Sequence, residues 1–200
     1  MIAMLKSSKR ELILIYRNLY KFFTRKKHLL KIYSFFNESL SAEYILIKKN
    51  INFPNIPQGS DFDMYVLNEE SFSNSLISYF EKFENYKITL MKTKIQSNQV
   101  DLYYKGRFIY KFDLLDSAHI PDIFNKSFIE DSLNKKTVHH FLFKGKKMKI
   151  NIPDNAYENL IRFVEHKMYP EKIHHLKHIE NLQASEIEEL KRMIKKYTNI

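Results

Sequence analysis

The chain has 200 residues, 44% of them apolar, with a formal net charge of +10, three glycines and no cysteine. That length and apolar share suffice for one sizeable core, and the absence of cysteine excludes a disulfide framework, a thiolate metal site and a cysteine nucleophile, in keeping with a reducing, cytoplasmic setting. The basic excess favours polyanionic company: nucleotides, nucleic acid or an anionic membrane surface.

From Glu11 to about Leu40 apolar residues recur at three- and four-residue steps (Leu12, Ile15, Leu19, Phe22, then Leu29, Ile32, Phe36, Leu40). This period predicts two basic amphipathic helices, with the polar run Thr24 to His28 separating them. Their charges interrupt every apolar stretch, so no run approaches the roughly 20 residues of a membrane span, and no secretory leader is expected. "EYILI" at 43–47 predicts a strand, and "NINFPNIPQGS" at 50–60, with two prolines and a glycine, predicts a loop. "DFDMYVL" at 61–67 then alternates, which puts Asp61, Asp63 and Tyr65 on one face of a strand and Phe62, Met64 and Val66 on the other. A helix follows from Asn68, its apolar positions Phe72, Leu76, Tyr79, Phe80 and Phe83 at helical spacing.

Three further strands are predicted at 87–95, 99–105 and 107–116, with Lys105-Gly106 as a hairpin turn, and a second hairpin at 139–153 around Gly145. Beyond Pro153, residues 154–169 and 185–200 read as helices, the first capped by Asp154 and the last by Ser185 with Glu188. The expected fold class is α+β: a mixed or antiparallel sheet with helices on one face and flanking N- and C-terminal helices. Three parts follow: basic helices over 1–40, a sheet domain over 41–152 and a helical lobe over 153–200.

Asp61 and Asp63 raise the chemical question. Two carboxylates on one face of a strand can hold a hard divalent ion, and a third from a neighbouring strand would complete a clamp for phosphoryl or nucleotidyl transfer. Asp113 is the leading candidate, an acid inside the apolar and aromatic run "FIYKFDLLD"; Asp101 and Asp116 compete with it.

These residues resemble the DNA polymerase beta-like nucleotidyltransferase superfamily, in particular its minimal bacterial members. The likeness runs over residues 40–118, through "EYILIKKNINFPNIPQGSDFDMYV", a helix, and later strands with one more Asp. It implies a nucleotidyltransferase-like sheet, magnesium or manganese bound by Asp61, Asp63 and Asp113, a nucleoside triphosphate (NTP) substrate, ATP among the candidates, and Asp113 activating an acceptor hydroxyl. Superfamily members carry a Gly-Ser pair some ten residues before the aspartates, where this chain has Lys48-Lys49-Asn50; its one Gly-Ser, Gly59-Ser60, abuts Asp61. Two expectations stand: Lys48 or Lys49 binds phosphate by charge, or triphosphate binding has been lost. Gly59 and Ser60 are second-tier contacts, since glycine lets backbone approach phosphate and serine donates to it. Lys172 and Lys177 in the helical lobe are candidate phosphate contacts.

Other signals are weaker. His174 and His178 with Glu171 have the spacing of helix-borne zinc ligands, but on a basic helix such runs are ordinarily solvated. Tyr103, Tyr104, Phe108 and Tyr110 can stack bases on an open sheet face or pack as core. Beside the enzyme stand two readings: an inactive module of the same fold that binds nucleic acid or an acidic partner through a basic surface such as residues 21–31, and peripheral membrane contact by the N-terminal helices.

Overall fold

A computed structural model of the chain describes residues 14, 23–38, 44–47, 53–93, 97–116, 123–125 and 127–199. Lys48 and Lys49 lie outside the described residues, as does the first N-terminal helix apart from residue 14. Residues 23–38 form helix α1, which runs unbroken through the stretch Thr24 to His28 expected to interrupt it. That stretch holds neither Gly nor Pro, and Arg and Lys lose little side-chain freedom in a helix, so polarity alone does not stop one. On the apolar side of α1, Leu29, Ile32, Tyr33, Phe35 and Phe36 are all at most 1% exposed. The Tyr33 hydroxyl donates to the Pro54 carbonyl at 2.7 Å, and the Phe36 ring stacks on Tyr44 at 5.2 Å.

Strands β1 (Tyr44–Leu46), β2 (Asp61–Val66), β3 (Tyr86–Lys92), β4 (Asn98–Tyr104) and β5 (Arg107–Leu115) form one mixed sheet in the order β1-β2-β5-β4-β3. Only β2 and β5 run parallel. Parallel neighbours need a crossover, and helix α2 (Glu69–Glu81) with the β3–β4 pair supplies it. Asn68 starts α2 by accepting the Ser71 N–H at 2.7 Å.

Alternation then sorts the side chains. Phe62, Met64 and Val66 of β2, Val100 and Leu102 of β4 and Phe112 and Leu114 of β5 enter one core with α1 and α2. The Phe62 and Phe112 rings stack there at 5.1 Å. A two-stranded ribbon, β6 (Thr137–Phe143) and β7 (Lys146–Ile152), adds Phe143, Met148 and Ile150 to the same core without joining the sheet. The β4–β5 and β6–β7 hairpins turn through a Lys-Gly pair with positive φ at each residue, Lys105-Gly106 and Lys144-Gly145. Their twist matches that of the strands they join.

The C-terminal lobe comprises α3 (Ser127–Asn134), α4 (Asn155–Met168), α5 (Ile173–Glu180) and α6 (Ala184–Tyr197). Asp154 caps α4 as expected, but the capping box of α6 is Gln183 with Glu186, two residues earlier than Ser185 with Glu188. The lobe has its own core, in which Phe124, Phe128, Tyr157, Leu160, Leu190 and Met193 meet Ile45 and Tyr65. Ile45 and Tyr65 stand opposite each other on β1 and β2, on the face away from α1. Helices therefore cover both faces of the sheet, where one face was expected. The physical cause is the apolar surface of Ile45 and Tyr65, which must also be buried. Among the described residues no helix is long and apolar enough to cross a membrane.

Candidate active site

The face opposite the α1–α2 core carries the polar half of the alternation. Asp61, Asp63 and Tyr65 come from β2, Lys111 and Asp113 from β5, and Gln99 and Asp101 from β4. The parallel register sets Asp61 beside Lys111 and Asp63 beside Asp113, at the neighbouring-strand spacing of about 4.8 Å. The structure thus brings Asp61, Asp63 and Asp113 to one patch. Lys111 joins them: its Nζ lies 3.2 Å from Asp61 Oδ2 and 2.9 Å from Asp113 Oδ2. The Asp61 side chain is 47% exposed, Asp113 28% and Lys111 24%, so solvent reaches the patch from the Asp61 end.

The electrostatics follow from this crowding. Burial raises the pKa of the Asp113 carboxyl; the Lys111 ammonium opposes that, and the nearby charges of Asp63 and Asp61 add to it, leaving the group above the ordinary carboxylate range. Burial works against the charge on Lys111, but its bonds to Asp113 and Asp61 outweigh burial and raise its pKa. The other oxygen of Asp113, Oδ1, is buried and has no hydrogen-bond partner.

The competing acids are placed differently. Asp101 is buried on the next strand beside Lys111, and its oxygens are engaged by Gln99 Nε2 at 2.9 Å and the Tyr103 hydroxyl at 3.4 Å. Asp116 follows the end of β5.

Gly59 has φ +85°, and its N–H donates to the Ile109 carbonyl at 2.8 Å, while the Ser60 N–H reaches the Pro57 carbonyl at 3.4 Å. The backbone N–H groups of Gly59 and Ser60 are therefore engaged in the loop that sets β2 against β5. Ile109 is itself the extra residue of a bulge, since Leu102 faces Tyr110 while Tyr103 faces Phe108. The bulge turns Phe108 toward Tyr103, with ring centroids 5.8 Å apart. Tyr104 instead packs on His28 and Tyr86, and the buried Tyr110 donates to the Ile56 carbonyl at 3.0 Å.

In the helical lobe, Lys172 precedes α5 with its ammonium 4.4 Å from the centre of the Tyr169 ring. The histidine run fastens α5 to α4: the fully buried His175 meets Glu165 at 2.9 Å, and His178 meets Asn159 at 2.8 Å. Glu165 and Asp63 both bear on the buried Tyr65 hydroxyl, whose pKa burial first and these two charges next drive far upward. The lobe thus closes one end of the carboxylate face.

Sequence reasoning missed two members of this neighbourhood. Lys111 had a visible signal, a lysine two residues before Asp113 and hence on the same face of an otherwise apolar strand. Glu165 had none, because its place depends on how α4 docks.

The donor set can be tested against a divalent cation. Among the described residues no three His, Cys, Asp or Glu side chains are gathered as tightly as a metal ion gathers its ligands; the Lys111 ammonium stands between Asp61 and Asp113. The chemistry of the set still fits. Three carboxylates against one ammonium leave a net negative charge, all donors are hard oxygens, and a buried oxygen of Asp113 lacks a partner. The shallow groove along α2, lined by Asn68, Glu70, Ser71, Asn74, Ser75 and Ser78, belongs to a helix packed on the opposite face and has no part in this arrangement. Comparison of the sequence with models of known protein families and with curated proteins returned no match.

Proposed function

We propose that the chain is a magnesium- or manganese-dependent nucleotidyltransferase, moving a nucleoside monophosphate from a triphosphate to an acceptor hydroxyl or phosphate. The observation that carries the reading is the register of the parallel strands, which sets Asp63 beside Asp113 with Asp61 two residues away on the same face. This is the arrangement that the resemblance in the sequence implies for its three acids, and the parallel pairing that produces it is not a property of the Asp-x-Asp strand alone.

Asp61, Asp63 and Asp113 would hold the divalent ion, which when bound supplies charge neutralisation for the triphosphate and for the developing charge on the leaving oxygen. Asp113 takes the proton of an acceptor hydroxyl. The acceptor oxygen then forms a bond to the α-phosphorus as the α–β bridging bond breaks, and pyrophosphate leaves with that electron pair. Lys111 offers a cation to the phosphates from the floor of the patch, and fixed charges held in place before the reaction are the main source of rate in such sites. Lys172 and, outside the described residues, Lys48 and Lys49 are the further phosphate candidates.

Calorimetry with magnesium and each common ribonucleoside triphosphate tests the binding half. Asp63→Asn is expected to abolish metal-dependent nucleotide affinity while the circular dichroism spectrum is unchanged. A variant that binds metal and nucleotide as well as the parent does would refute the assignment. Pyrophosphate release with sugar, RNA and protein acceptors tests the other half, and there Asp113→Asn is expected to lower turnover by about 10²–10⁴-fold.

A further inference from the structure

We propose that Lys111 acts as the site's own counter-cation, excluding a free divalent ion from Asp61 and Asp113 and yielding to one when a polyphosphate arrives to receive the ammonium. The second half of this inference rests on the nucleotidyltransferase reading; the first does not. Lys111 begins beside Asp61 across the β2–β5 pair and lies two residues before Asp113 on its own strand. Its ammonium touches an oxygen of each, at 3.2 and 2.9 Å. A divalent ion using those same oxygens would stand within a few ångströms of the ammonium, and two cations that close repel each other even where solvent reaches part of the patch. An ion that uses those two oxygens can therefore enter only if Lys111 leaves them.

Leaving has a cost for the free protein. The ammonium would give up two charge-assisted hydrogen bonds, one of them to the largely buried Asp113. A polyphosphate changes the balance. Its oxygens accept the ammonium as the ion takes the carboxylates, so that each cation keeps an anionic partner. Two binding events that relieve one another in this way are positively coupled, and couplings of this kind are typically about 5–150-fold. Lys111 is a positioning residue in the free state and a phosphate contact in the loaded one.

The test uses the full chain and three probes: manganese alone followed by electron paramagnetic resonance, magnesium tripolyphosphate followed by calorimetry, and thermal unfolding in a chelator to check the fold. Lys111→Met keeps the aliphatic stem and deletes the charge; Lys111→Gln, which also removes the charge but keeps a donor, serves if the first does not fold. The neutral variant is expected to bind manganese alone at least about tenfold more tightly than the parent, and to bind magnesium tripolyphosphate more weakly. A merely structural lysine would lower both affinities together.

Manganese affinity equal to or below that of the parent overturns the counter-cation role. Tripolyphosphate affinity equal to or above that of the parent overturns the transfer of the ammonium to phosphate. If the neutral variant gains manganese affinity while neither protein binds tripolyphosphate, the first half stands and the second falls; if neither protein binds any magnesium ribonucleoside triphosphate either, the nucleotidyltransferase reading falls with it. If the parent binds magnesium tripolyphosphate and the variant gains nothing with manganese, that reading stands and this inference falls.

Discussion

Removal of residues 1–40 is expected to unfold the protein, because α1 is part of the sheet's core. Five of its side chains, Leu29, Ile32, Tyr33, Phe35 and Phe36, are at most 1% exposed, and burying each is worth about 1.5–3 kcal/mol. Together they contribute about 8–15 kcal/mol, against a total stability of about 5–15 kcal/mol for an ordinary domain. The true loss lies toward the lower figure, since the unfolded chain already buries part of that surface. The deletion also strips the cover from Tyr44, Phe62, Phe72 and Phe112, which pack directly on Phe35 or Phe36, and takes the Tyr33 hydroxyl from the Pro54 carbonyl. Near-ultraviolet circular dichroism and urea unfolding of a 41–200 fragment measure the outcome. The fragment should lack fixed aromatic packing and a cooperative transition. A soluble fragment that unfolds cooperatively near the parent's midpoint would refute the core assignment.

Two further predictions concern buried polar groups. His28 is fully buried against Tyr86 and Tyr104, and burial first, then Lys27 and Lys31, lowers its pKa from 6.5 to about 4. The folded state therefore binds fewer protons than the unfolded one, so its stability is full above about pH 6.5 and declines by up to about 3 kcal/mol as pH falls to about 4. His28→Phe should cost about 1 kcal/mol at neutral pH through the Tyr86 hydroxyl and flatten that part of the decline; urea midpoints with an unchanged acid slope would count against it. Tyr197 donates to Asp131 at 2.7 Å and shares a hydrogen bond with Tyr157 at 2.8 Å, and its hydroxyl is the main reason that the Asp131 carboxyl is held below the ordinary range. That contribution is present above the usual aspartate pKa and is lost as pH falls through the folded value. Tyr197→Phe should cost about 1–3 kcal/mol near neutrality, lowering the melting temperature by roughly 3–10 °C, with a smaller effect below the aspartate range, where only the bond to Tyr157 is lost; an unchanged melting temperature at neutral pH would exclude the role.

Much of the local structure was legible in the residues. Asn68 and Asp154 cap helices because a short side-chain oxygen reaches free backbone N–H groups within its own turn. The Lys-Gly pairs mark hairpins because glycine accepts the positive φ that the turn demands. The alternation of 61–66 put both carboxylates on one face, and the apolar surround of Asp113 singled it out. The shift of the α6 cap to Gln183 was less legible, since Ser185 and Glu188 offer an equally good local pattern two residues later. Helix α3 was missed because its eight residues carry too few apolar positions to establish a period. The polar stretch from Thr24 to His28 suggested a break because its charges interrupt the apolar pattern of the sequence, yet helix propensity tolerates them.

Periods, caps, turns and the facing of Asp61 and Asp63 can be read along the chain, because each depends on neighbours only a few positions away. Tertiary structure alone decided which strands lie side by side. The parallel pairing of β2 with β5 sets Asp63 beside Asp113 and Asp61 beside Lys111, and a slip of one residue would have sent the acids of one strand to the opposite face from those of the other. It also decided that Gly59 donates to a bulged carbonyl on β5, and that α4 brings Glu165 to the buried Tyr65. Contacts between residues dozens of positions apart arise from the docking of whole elements, set by the sum of many buried side chains, and no single stretch of residues encodes that sum.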